Sequence, residues 1–88
     1  MPFPNHILDR MLAPEIGNLS PDVARYFLDL EFTATDRDRC EELSYKAQDG
    51  SLTLEERQEL DWYLVLDAFL IRLQSKARRS LEQHPSAA

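Results

Sequence analysis

Glycine and histidine each occur twice in the 88 residues, and cysteine occurs once. Two glycines cannot supply a phosphate-cradling Gly-rich loop. The lone thiol, Cys40, excludes an internal disulfide framework and fits a reducing cytosol. His6 and His84 lie near the two ends, and no Cys or His spacing matches a zinc site. β-Branched residues are few and no apolar/polar alternation is sustained, so strands are not expected. The most apolar stretch, Trp62 to Ile71, is ten residues broken by Asp67. A membrane span needs about 20. The opening Met1-Pro2-Phe3-Pro4-Asn5-His6 lacks the basic region and apolar core of a secretory signal. These absences point to a cytoplasmic protein that neither spans nor enters a membrane.

What is present is ordinary for a folded chain: 43% hydrophobic and 30% charged residues. A chain of this length buries little more than about 60% of its unfolded surface, so a partner or second copy adds materially to stability. The formal net charge is −6, which disfavours nucleic acid and anionic membranes. Five basic residues face ten acidic ones up to Gly50, against five and six from Ser51 onward.

Helix signals are dense. Asn5 to Leu12 reads as a short helix with Ile7, Leu8, Met11 and Leu12 on one side, broken by Pro14. Ser20-Pro21 reads as an N-cap with proline in the first turn. The helix that follows, Pro21 to about Glu31, carries an apolar stripe of Val23, Tyr26, Phe27 and Leu30. Thr35 is the expected cap of the next helix, whose inner stripe is Cys40, Leu43 and Ala47 and whose end is Asp49-Gly50. Thr53 and Glu56 form a capping box, and from Leu54 no Gly or Pro interrupts a helix to about Glu82.

The expected fold is therefore all-α, a small bundle of three to four helices with a long C-terminal helix. The chain reads as one domain: an N-terminal segment 1–19, two short helices within 20–50, a long helix 53–83 and a tail 84–88. A helix of about 29 residues is roughly 43 Å long, whereas a compact body of this chain length is roughly 30 Å across. Part of it should overhang. Two apolar stripes occupy its middle: Tyr63, Leu66, Leu70, Leu73 and Ala77, and beside them Trp62, Val65 and Phe69. Either the shorter helices wrap both in a monomeric core, or one stripe meets another surface, a second copy or a different protein. Trp62, Tyr63, Val65, Leu66, Phe69, Leu70 and Leu73 are thus the candidate interface.

Catalytic, cofactor and metal sites are not expected. Cys40 sits on an apolar stripe, as a structural thiol does. Read as a calcium loop from Asp36, the acidic cluster has Glu41 where glycine is needed and Ala47 where glutamate is needed. Asp67 interrupts the apolar run and is a candidate specificity residue, lying at the polar margin or buried against an arginine. Arg72, Lys76 and Arg79 form a basic stripe at i, i+4 and i+7. As a phosphate-contacting face it competes with a plainer role, complementing the helix dipole. The helix is too long and too apolar for a helix-turn-helix recognition element.

Four segments carry a resemblance: Leu8-Asp9-Arg10-Met11-Leu12-Ala13-Pro14, Leu19-Ser20-Pro21-Asp22-Val23-Ala24-Arg25, Gly50-Ser51-Leu52-Thr53-Leu54-Glu55-Glu56-Arg57 and Leu73-Gln74-Ser75-Lys76-Ala77-Arg78. Through them the chain resembles a group of small uncharacterised bacterial helical proteins encoded near HNH-type endonucleases. Such proteins usually have proline where this sequence has Leu54, a difference that touches only the helix start. The resemblance brings no catalytic or binding residues; it implies an antitoxin-like or accessory partner of a nuclease. The functional expectation is a non-enzymatic protein–protein interaction module. The alternatives are a homodimeric scaffold and, behind it, a nucleic-acid-binding regulator using the basic stripe.

Overall fold

The computed structural model describes residues 5–83, so the expected tail 84–88 lies outside the described residues. Within them the chain is all-α, with four helices: α1 (Asn5–Leu12), α2 (Pro21–Leu28), α3 (Ala34–Asp49) and α4 (Leu54–Gln83). No described helix is long and apolar enough to cross a membrane. The chain groups into two compact units, Met1–Leu30 with Ala68–Ala88, and Glu31–Asp67. Helix α4 contributes to both.

In the first unit, α1 ends at Ala13, which takes φ +45° and donates its amide to the Asp9 carbonyl at 2.9 Å. The left-handed conformation costs a non-glycine residue roughly 1 kcal/mol, and Pro14 prevents any continuation. Helix α2 starts as expected, the Ser20 hydroxyl accepting from the Val23 amide at 3.4 Å with Pro21 in the first turn. It stops at Leu28, short of the expected Glu31. The reason is non-local: Gln74 Nε2 from α4 donates to the carbonyls of Leu30 at 2.8 Å and Phe27 at 3.2 Å. The side chain thereby satisfies acceptors that a helix end leaves open. The inward face also differs from the expected stripe. Ala24 is fully buried, while Val23 and Tyr26 are exposed.

Two small residues set the closest approach in this unit. Gly17 is buried, and a Cβ placed there would lie 2.6–2.7 Å from the α4 backbone at Arg79 and Ser80. Ser80, itself fully buried, donates to the Lys76 carbonyl at 2.8 Å and accepts from the Leu19 amide at 3.1 Å.

In the second unit, α3 is capped by Thr33, two residues earlier than expected. The Thr33 hydroxyl accepts from the Asp36 amide and donates to the Asp36 carboxylate at 3.0 Å. That reciprocal arrangement prevails over Thr35, which falls inside the helix. The far end is as read: Gly50 takes φ +71°, with its amide on the Ala47 carbonyl and that of Ser51 on Lys46. Leu43 is fully buried, Cys40 half-buried and Ala47 exposed. The capping box of α4 forms as expected, with the Thr53 amide on Glu56 Oε1 at 3.0 Å and the Glu56 amide on Thr53 Oγ1 at 3.1 Å.

Candidate interaction surface

An ion-pair network joins α3 to the first half of α4. The Arg39 guanidinium grips both oxygens of Glu59, each at 2.8 Å, and also reaches Glu42 at 3.1 Å. Lys46 Nζ donates to Glu56 Oε2. Glu56 therefore serves the capping box with one oxygen and Lys46 with the other. The ammonium and the Thr53 amide hold the Glu56 carboxyl down at about 2, and Arg39 likewise lowers Glu59.

With that network committed to holding the helices, other residues of the same unit face solvent. Trp62 is 67% exposed and Leu66 48% exposed, while Val65 is half-buried. Gln58, Asp61, Trp62 and Val65 line a shallow hollow of about 260 Å³. Leu64 is also exposed, beside a second hollow of about 330 Å³ shared with α3. Phe32 and Tyr63 meet there edge-on with centroids 5.9 Å apart. Cys40 and Ser44 line it too, the Ser44 hydroxyl donating to the Cys40 carbonyl. Its charged residues are Asp36, Glu41, Asp67 and Arg37. The Tyr63 phenol donates to Asp36 Oδ1 at 2.8 Å, and holding its proton against a carboxylate raises its pKa.

No family model matches the chain, and no curated protein or solved structure does. The site rests on its own geometry.

The candidate interface residues separate by exposure. Trp62, Leu66 and, in the first unit, Phe69 are exposed. Tyr63, Val65, Leu70 and Leu73 are half-buried, and Ala77 is fully buried. Asp67 is exposed, with no ion-pair partner among the described residues, so it lies at the polar margin of α4 and is not a buried contact.

The basic stripe does not exist as a free face. Arg72 pairs with Asp9 at 2.6 Å and also donates to Asn5 Oδ1 and the Ala68 carbonyl. Lys76 is 9% exposed and gives its ammonium to the carbonyls of Ile16 at 2.9 Å and Ala13 at 3.3 Å. Of the three, only Arg79 stays exposed. The turn around Pro14 leaves carbonyls without helical partners, and these recruit the lysine. Sequence reasoning also passed over Gly17, Gln74 and Ser80. The scarcity of glycine was the available signal for Gly17; nothing local marks the other two. Among the described residues, no group of three His, Cys, Asp or Glu is placed to hold a metal ion.

Proposed function

We propose that the chain is a non-enzymatic protein–protein interaction module that docks through its second unit. The observation that carries this reading is the exposure of Trp62, one helical turn from exposed Leu66, in a unit where Leu43 is fully buried. An aromatic anchor next to a hollow is the composition of interface hot spots, and apolar area of this kind gains by leaving water. The partner is another protein. Resemblance to proteins encoded beside HNH-type endonucleases makes a co-encoded nuclease the natural candidate, inhibited or positioned by this chain in a cytoplasmic setting.

Charge supports a foreign partner over a homodimer. Glu31–Asp67 holds eleven Asp and Glu against four Lys and Arg, so it carries −7, while the remainder carries +1. Two copies meeting through this unit would set like charges together, which costs affinity. A basic, nucleic-acid-binding enzyme would instead be steered onto it. Co-expression with the neighbouring nuclease should give a stable complex whose association slows with added salt and which Trp62→Ala weakens at least about tenfold. Absence of binding at micromolar concentration would discard the nuclease as partner. A concentration-dependent dimer in light scattering, dissolved by Trp62→Asp with Leu66→Asp at these exposed positions, would favour the scaffold reading.

A further inference from the structure

The groove shared by α3 and α4 in the second unit combines two chemistries. Half-buried Phe32 and Tyr63 supply aromatic surface, and exposed Leu64 extends it. Three carboxylates, Asp36, Glu41 and Asp67, share the lining with one guanidinium, Arg37. Among the described residues the Asp36 carboxylate is hydrogen-bonded only by neutral hydroxyls, from Thr33 and Tyr63, so its negative charge is oriented but not neutralised by them. Arg37 approaches Glu31 at 4.0 Å, and neither Glu41 nor Asp67 has an ion-pair partner among the described residues. The lining is thus doubly negative, within a unit that is itself strongly acidic.

We propose that this groove receives the guanidinium or ammonium group of a basic segment on a partner protein. It rests on the interaction-module reading and adds the chemistry of the partner's contacting side chain. Lysine and arginine are the side chains that fit both parts of the lining. Their methylene stems cover apolar surface while the charged head stays among oxygens, and aromatic rings attract the cation further. A second copy is a poor source. Its exposed Arg78 and Arg79 lie in the nearly neutral unit, but it also brings another acidic unit into range. Nucleic acid is repelled by the same field.

The test uses the full chain and two fluorescein-labelled amphipathic helical peptides. The peptides share one apolar face and differ in carrying Arg or Glu along the polar face. Fluorescence anisotropy gives affinities, and amide shifts of the isotope-labelled chain locate the contact. The arginine peptide should bind and the glutamate peptide should not, with shifts centred on Arg37, Glu41, Ser44 and Leu64. Glu41→Gln combined with Asp67→Asn should weaken the arginine peptide about fivefold, as two partly exposed charge pairs predict. Both carboxylates are exposed, so helix content by circular dichroism should be unchanged. Equal binding of both peptides, with shifts around Trp62 and Val65, would overturn the groove's role while leaving the interaction reading in place. Binding of neither peptide would overturn it too, and co-purification with the nuclease would then judge the broader reading separately. Self-association that shifts Arg78 and Arg79 together with the groove would also overturn it, assigning the groove to a second copy.

Discussion

The two units are held together in different ways. In the first, polar side chains of α4 address the backbone of the N-terminal residues: Gln74 on Phe27 and Leu30, Lys76 on Ala13 and Ile16, Ser80 on Leu19. In the second, side chain meets side chain, and most of the partners are ionised: Arg39 with Glu59 and Glu42, Lys46 with Glu56. Backbone acceptors do not titrate, so these bonds depend on chain geometry and not on carboxylate charge, although the Arg72–Asp9 ion pair stands beside them in the same unit. Carboxylates do titrate, so the second responds to acid and to salt. The nearly neutral unit is built for a fixed shape. The acidic one leaves charge and apolar surface exposed.

The sharpest break of this contrast is Gly17→Ala. The new methyl group meets helix backbone, which cannot step aside as a flexible side chain would. A loss of about 3 kcal/mol, the upper part of the overpacking range, is expected in chemical denaturation. A change below half a kilocalorie would show that the approach is looser than described. Next comes Lys76→Met, which keeps the stem and removes two bonds to carbonyls. About 2 kcal/mol should be lost, and amide exchange should accelerate at residues 13–19 while α3 is unaffected.

Acid should act on the other unit. The folded-state pKa of Glu56 is about 2, against an ordinary value of 4.5. Between these values the unfolded chain binds the proton more readily, so stability falls as pH drops from 4.5 toward 2. Glu56→Gln should flatten that slope, and an equal slope in the variant would remove Glu56 as its cause. The smallest effect belongs to Trp62→Ser. With the indole mostly in solvent, the unfolding free energy should change by no more than about 0.5 kcal/mol in chemical denaturation. A large loss would make Trp62 a core residue and remove it from the proposed surface.

Local chemistry was legible in the sequence wherever it involved neighbours in the chain. Ser20 with Pro21, Gly50, and Thr53 with Glu56 each act within a turn or so, and each marks a helix end where the structure has one. Thr33 also acts locally but was passed over, because Thr35 stands beside the same acidic run. The end of α2 was misjudged for another reason. It depends on Gln74, 44 residues from Leu30. The inward turn of Lys76 likewise depends on carbonyls 60 and 63 residues away. Of the α2 stripe read from periodicity, Phe27 and Leu30 are half-buried, but Val23 and Tyr26 are exposed and the fully buried position is Ala24. For the candidate surface, an excess of apolar residues on one helix left a wrapped core and an exposed stripe both open, and the exposed residues Trp62, Leu66 and Phe69 come from both stripes. The acidic groove was not legible, since it needs α3 and α4 side by side.

The seat of Gly17 has a consequence for the newborn chain. Residues 13–19 find their acceptors and donors at Lys76 and Ser80, and their clearance against peptide groups of α4 that exist in that form only once coiled. A ribosome delivers those positions about sixty residues later. Until then the stretch that follows α1 lacks these partners, and it can take its final place only after that part of α4 has emerged and wound up.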